Sequence, residues 1–197
     1  MKQKLLDGYS QMREDIATAK DKHLRKLWIF IRDEMDNLPK DRFLDEVEYR
    51  ILQSLEETYA ITSAAARKLY GIKSERLQDG EIEELTYSKD GKTLRERLET
   101  HYDNAENRSN STEYFRNRVV LIVDTETLTV SNTVIHGKLN KEATYAEVIG
   151  VGDCSEAEAE EGDCEYWIAK GKMPIEELSE LPPFHPDCEC EVIYYFE

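Results

Sequence analysis

The sequence predicts an α+β protein, mostly helical through its N-terminal and central part, with a small antiparallel β unit at its C-terminus. Three observations carry this expectation. Apolar residues recur at helical spacing over most of residues 3–136. After about residue 143 the pattern changes to short β-branched and aromatic runs. All four cysteines, Cys154, Cys164, Cys188 and Cys190, fall in the last quarter of the 197-residue chain, which marks that quarter as a small stapled unit.

Residues 3–36 read as one long helix whose apolar stripe includes Leu5, Tyr9, Met12, Ile16, Leu24, Leu27, Trp28, Ile31 and Met35. Asn37-Leu38-Pro39 ends it, since proline cannot continue a helix. Asp41 is the expected N-cap of a second helix, with Phe43, Leu44, Val47, Ile51, Leu52 and Leu55 facing inward to about Ala60. A short third helix, Ser63 to Tyr70, should stop at Gly71. The polar stretch 71–91, with Asp79-Gly80 and Asp90-Gly91 as turn signals, divides the chain into an N-terminal helical region, 1–90, and a second region, 91–197.

The second region opens with a helix from Lys92 to about Glu106, carrying Leu94, Leu98 and Tyr102 on one side. Asn110 and Glu113 fit a capping box for the next helix. Its run Arg118 to Val123 is β-prone by composition. The upstream cap, and apolar residues at helical offsets from Phe115, favour a helix that runs to about His136 and ends at Gly137. Three strands should follow, over 143–151, Glu165–Ile168 and Glu191–Phe196, with a helical turn at Met173–Leu178 between the last two.

No run approaches the roughly 20 apolar residues of a membrane span, and the basic start, Met1-Lys2-Gln3-Lys4, has no apolar segment behind it. An intracellular, reducing setting is the expectation, and it favours thiolate–metal chemistry over disulfides. The net charge is −16, unevenly spread. Residues 147–197 carry 15 acidic and 2 basic side chains, while residues 1–146 carry 27 and 24. A tail so acidic repels phosphate, so nucleic acid is an unlikely partner for it.

Zinc takes four tetrahedral nitrogen or sulfur ligands. Cys154, Cys164, Cys188 and Cys190 would supply an all-thiolate set, with His185 as alternate fourth ligand. Neither pair has the two-residue gap of a zinc knuckle. Cys188 and Cys190 are separated by one residue, which in a regular strand sends the thiols to opposite faces. Structural zinc, disulfides and metal-free thiols therefore all stand as readings, and His185 is equally a turn-fixing hydrogen-bonding residue. No catalytic constellation competes: His23, His101 and His136 are isolated and read as solvated helix positions, and Asp124 and Glu126 diverge on a helix.

The segment Pro182-Pro183-Phe184-His185-Pro186-Asp187-Cys188-Glu189-Cys190, followed by Val192-Ile193-Tyr194-Tyr195, resembles the close of the phage Mu F-like head morphogenesis family, the minor head (minor capsid) proteins of tailed phages. Members typically end in Pro-Pro-x-His-Pro-x-Cys-x-Cys and a short hydrophobic strand. Upstream, Thr125-Glu126 after Arg118, and Leu94-Arg95-Glu96-Arg97-Leu98, are similar to helical segments of the family in the same order. The resemblance spans about residues 90–197. It departs in the wide spacing of Cys154 and Cys164, where the family has Cys-x-x-Cys, and in Glu189, where the family has Arg.

The resemblance implies a non-enzymatic virion component, located inside the capsid near the portal and in host cytoplasm during assembly. It implies portal and other capsid proteins as partners, in head assembly, DNA packaging or delivery. Apolar stripes such as Leu24, Leu27, Trp28 and Ile31 would dock on those partners. The alternatives are a small zinc-dependent enzyme, with Glu156 to Glu161 near the metal, and a prophage-borne helical interaction protein.

Overall fold

A computed structural model describes residues 2–71, 82, 91–150, 164–184, 188 and 190–196. Among them are five helices and one three-stranded antiparallel sheet, so the fold is α+β. Helix α1 spans Lys2–Glu34 and α2 spans Lys40–Tyr70; α3 is Leu94–Glu106 and α4 is Ser111–Leu139. Strand β1, Tyr145–Ile149, is followed by helix α5, Cys164–Lys170, then β2, Lys172–Pro174, a 3-10 turn, Ile175–Glu177, and β3, Glu191–Tyr195.

Helices α1 and α2 pack side by side as a hairpin. Leu38 N–H reaches back to Glu34 C=O at 3.0 Å and Phe43 N–H to Pro39 C=O at 2.9 Å, so the two helices are joined by a turn of four or five residues. Pro39, not Asp41, occupies the cap of α2 and makes no side-chain cap bond. Asp41 is the second residue of the helix, in its first turn, where a carboxylate is favoured by the positive end of the helix dipole. Gly8 lets α1 approach the far end of α2: a Cβ there would stand 2.1 Å from a methyl of Leu69.

The break expected near Ala60 is absent, and α2 runs unbroken to Tyr70. No Gly or Pro interrupts residues 56–70, and the small residues Thr62 and Ser63 are buried in the helix rather than in a loop. The Thr62 hydroxyl lies 3.4 Å from that of Ser131 on α4, a close helix contact that larger side chains would prevent. Gly71 ends α2 as expected, at φ +73°, with its N–H on Arg67 C=O.

Helix α3 begins with a capping box at Thr93 and Glu96: Glu96 N–H donates to Thr93 Oγ1 at 3.2 Å and Thr93 N–H to Glu96 Oε2 at 2.7 Å. The box expected at Asn110 and Glu113 does not form, although α4 does start at Ser111. The β-prone run 118–123 is helical. Burial at Phe115, Val119, Ile122, Val123, Glu126 and Val130 follows the helical period. The helix passes through Gly137 and ends two residues later, because Leu139 is fully buried and still belongs to its inner face.

The second predicted strand, Glu165–Ile168, is instead the helix α5. Cys164 and Trp167, one turn apart, are its buried residues, and Trp167 stacks on Phe184 at 6.1 Å. The strand itself comes after Gly171, whose φ of +61° turns the chain into β2. Sheet order is β2-β1-β3. Ala146 pairs with Met173 on one side and Tyr194 on the other, and Val148 pairs with Val192.

Two hydrophobic clusters fill the interior. One gathers Leu24, Leu27 and Ile31 of α1 and the following Met35 with the first half of α2, with α3 and with α4 from Phe115 to Val134. The other gathers Leu5, Tyr9, Met12 and Ile16 of α1 with the end of α4, the sheet and the cysteines. Both draw on residues before and after position 90. The stripe expected to dock on partners is therefore inside: Leu24, Leu27 and Ile31 are buried against α2 and α4, and only Trp28 is partly exposed, with the Arg116 guanidinium 5.6 Å from its ring.

Strand β3 lies at the edge of the sheet, yet all five of its residues are buried. Three backbone groups along its outer edge, one of them just before the strand, meet side chains. Tyr9 O–H donates to Val192 C=O at 2.8 Å, Tyr194 N–H donates to Tyr70 Oη at 3.4 Å, and Asn132 Nδ2 donates to Cys190 C=O at 3.3 Å. The Tyr9 and Tyr70 oxygens are 3.1 Å apart, and with the Tyr9 proton committed to Val192, Tyr70 donates to Tyr9. Tyr9→Phe removes the donor to the buried Val192 carbonyl and the acceptor of the Tyr70 hydroxyl, which keeps only the Tyr194 N–H. It should lower stability by about 1–3 kcal/mol in chemical denaturation, while Tyr49→Phe on the exposed surface should cost almost nothing.

The isolated histidines are not simply solvated. His23 Nε2 is 2.6 Å from Glu57, and His136 Nδ1 is 2.9 Å from the Tyr194 hydroxyl. Burial pushes the His136 pKa down, and burial with Arg118, Arg97 and Lys92 nearby does the same to His101. Below about pH 6.5 the unfolded chain takes up a proton at His136 that the folded chain resists, so this part of the stability is complete above that pH and lost as pH falls. Glu191, pushed up to about 7 by burial, acts in the opposite direction over the same range. The wild type should therefore lose more stability than His136→Gln between roughly pH 7.5 and 5.5, the difference staying below about 1.4 kcal/mol per pH unit. Equal slopes would mean that His136 titrates as freely folded as unfolded.

Candidate metal centre

The cysteines reach one another from two places in the chain. Cys164 is the first residue of α5, and Cys188 and Cys190 precede β3. All three are buried, and their Sγ atoms lie within 4.8 Å of one another. Cys188 and Cys190 stand outside the regular strand, so the alternation that would send their thiols to opposite faces does not apply to them. Cys154 and His185, the other two expected ligands, lie outside the described residues, as does the acidic loop Glu156–Glu161.

Two walls hold the cluster. On one, Trp167 of α5 is clamped between Tyr166 and Phe184, fixing Cys164 one turn away. On the other, Asn132 of α4, itself buried, donates from one amide nitrogen to Pro182 C=O and Cys190 C=O, both at 3.3 Å. This residue ties both ends of the cysteine loop to α4. Its only sequence signal was a polar residue on the inner face of an otherwise apolar helix.

Cys164 Sγ and Cys188 Sγ are 3.4 Å apart, well beyond the roughly 2.05 Å of a disulfide. One negative charge is favoured on Cys188. The thiol of Cys190 donates to it, backbone N–H groups of Phe184 and Cys190 and the Cys164 thiol add to this, and together they outweigh burial and bring its pKa down to about 5. The same contact, with burial, pushes Cys190 far up. Two thiolates on one zinc ion lie about 3.8 Å apart at Zn–S of about 2.3 Å, so the observed spacing accommodates an ion with small adjustments. Three buried cysteines thus lie close enough to hold a metal ion.

Elsewhere, Arg97 of α3 and Glu126 of α4 form an almost fully buried ion pair at 2.6 Å. Burial raises the Glu126 pKa, opposed by Arg97. Asp124 turns the other way and binds Lys20 of α1 at 2.6 Å, so the two carboxylates do diverge. Among the described helices none is long and apolar enough to cross a membrane. No protein-family model, curated protein or solved structure matches the chain.

Mild oxidation of the chelator-treated protein should form a disulfide within the set Cys164, Cys188 and Cys190, whose Sγ atoms lie within 4.8 Å of one another, as read by peptide mass spectrometry without reduction. Three thiols that all stay reduced under conditions that oxidise an exposed cysteine would contradict this geometry.

Proposed function

We propose that the chain is a minor head protein of a tailed phage or prophage, of the Mu F-like head morphogenesis class, acting at the portal in head assembly, DNA packaging or delivery. The cysteine string that leads into a buried hydrophobic strand carries the reading. A second feature supports it: the segment Leu94 to Leu98 and the pair Thr125-Glu126, similar to family segments in sequence, meet here through Arg97 and Glu126. In this reading residues 1–90 contribute the helices against which residues 91–197 are held, and the protein is not an enzyme.

A structural zinc ion at Cys164, Cys188 and Cys190, with Cys154 or His185 as fourth ligand, would complete the C-terminal unit. Buried thiols, one of them already favoured as thiolate, suit zinc better than calcium or magnesium, which prefer oxygen. Four protein ligands would leave no open coordination position, so the ion would hold the fold and do no chemistry. With Leu24, Leu27 and Ile31 inside, partner contacts fall to exposed residues such as Trp28, Ile29 and Tyr49.

One observation favours the zinc-enzyme alternative. Cys188 forms part of the wall of a cleft, where an open metal position would be reachable. Metal analysis by mass spectrometry separates the readings. We expect about one zinc ion per chain, with Cys188→Ser losing both the metal and the fold of the C-terminal unit. Metal loss with an intact fold would favour chemistry. Co-expression with a tailed-phage portal protein should yield a complex, and absence from both that complex and purified particles would remove the head-protein reading.

A further inference from the structure

Between α1, α4 and the start of β3 lies a cleft of about 360 Å³, within the size range of small-molecule sites. Ile16, Ala17, Leu128 and Pro183 give it apolar walls. Lys20 and Asp124 at its border satisfy each other at 2.6 Å. Three other polar atoms are buried without a hydrogen-bond partner: Arg13 Nη1, Glu191 Oε2 and Thr127 Oγ1. The Arg13 and Glu191 atoms face each other at 3.7 Å, an ion contact too long for a hydrogen bond. Glu191 is 3% and Thr127 7% exposed.

Thr127 is the informative case. The hydroxyls of Thr18, Thr58, Thr100 and Thr129 all donate to the carbonyl four residues earlier in their helices, at 2.8–3.1 Å. Thr127 is on the same helix as Thr129 and has that option, but does not take it. Other buried atoms of the described residues also lack a hydrogen bond, Ser54 Oγ and Ser63 Oγ among them, so it is the gathering of three at one cleft, with an acid and a base among them, that points to a missing partner. Arg13 offers a donor and Glu191 an acceptor. Their charges balance, so a charged ligand would leave one of them opposed.

We propose that this cleft binds a small neutral molecule whose apolar frame carries a hydrogen-bond acceptor beside a donor, the edge of a carboxamide. Its carbonyl accepts from Arg13 Nη1 and its N–H donates to Glu191 Oε2, with Thr127 Oγ1 completing the set. The site does not depend on the head-protein reading or on the metal.

Three molecules of one shape test it: benzamide, benzoate and benzylamine. They would be titrated into the intact protein at about pH 8 and followed by amide-shift NMR. Benzamide should bind with a Kd on the order of 1 mM, at least about tenfold tighter than the other two, with shifts centred on the cleft. Arg13→Met should abolish that preference and raise benzylamine above benzamide, an exchange that a merely structural role for Arg13 would not produce. Thr127→Val, a milder change, should weaken benzamide several-fold in a chain that still folds. Equal binding of all three, a preference for either ion, or no shifts at about 10 mM would overturn the proposal and leave ordered water as the partner of these atoms.

Discussion

The C-terminal strand has a neighbour on one side only, and three side chains stand in for the missing one. A buried strand edge without partners would carry several unsatisfied backbone groups, each costing about 1–3 kcal/mol. Here Asn132 of α4, Tyr9 of α1 and Tyr70 of α2 meet the outward-facing groups of Cys190, Val192 and Tyr194 in turn. The spacing of two residues is that of the strand itself. Helices thus close the sheet as another strand would, while also preventing the edge from pairing with another chain.

This constraint joins two regions that look unrelated in sequence. The N-terminal helices carry no chemical motif, and the cysteines occupy the opposite end of the chain. Yet Tyr9 and Val192 are 183 positions apart and share a hydrogen bond. The strand that α1 and α2 fix is the continuation of the segment holding Cys188 and Cys190. The helices therefore help define where two of the three thiols stand, and Asn132 ties Pro182 and Cys190 to α4. A metal ion at the cluster would close the other end of the same unit, tying that segment to α5 through Cys164.

The helical fold was legible because its signal is periodic and long. The phase of Phe115, Val119 and Val123 identified α4 as a helix against the β preference of its residues. The seven-residue α5 was misread because Tyr166-Trp167-Ile168 is β-prone and two turns give too little period to overrule it. The capping box at Thr93 and Glu96 was readable in its Thr-x-x-Glu form, whereas the similar pattern at Asn110 and Glu113, before the next helix, makes no such box. The cysteine cluster was visible as a composition, whereas its geometry depends on Cys188 and Cys190 standing outside the strand. Contacts such as Tyr9 to Val192 leave no trace in a single sequence, since nothing local distinguishes a tyrosine that caps a strand from one that packs in a core. The stripe Leu24, Leu27 and Ile31 shows the same limit: an apolar face must be covered, and its spacing does not say by what.

What covers it has a further consequence. Helices α1 and α4 each contribute to both hydrophobic clusters, α1 through Leu24 to Ile31 at one end and Leu5 to Ile16 at the other. A continuous helix is stiff over this length, so a shift at one cluster moves residues of the other. The cleft lies between these same two helices, bounded by Arg13 and Ile16 on α1 and by Thr127 and Leu128 on α4, with Cys188 and Glu191 closing it. Arg13 and Glu191, opposite charges at 3.7 Å, are therefore brought to one cleft by a helix that packs in both clusters and by a strand whose outer edge is held by three side chains.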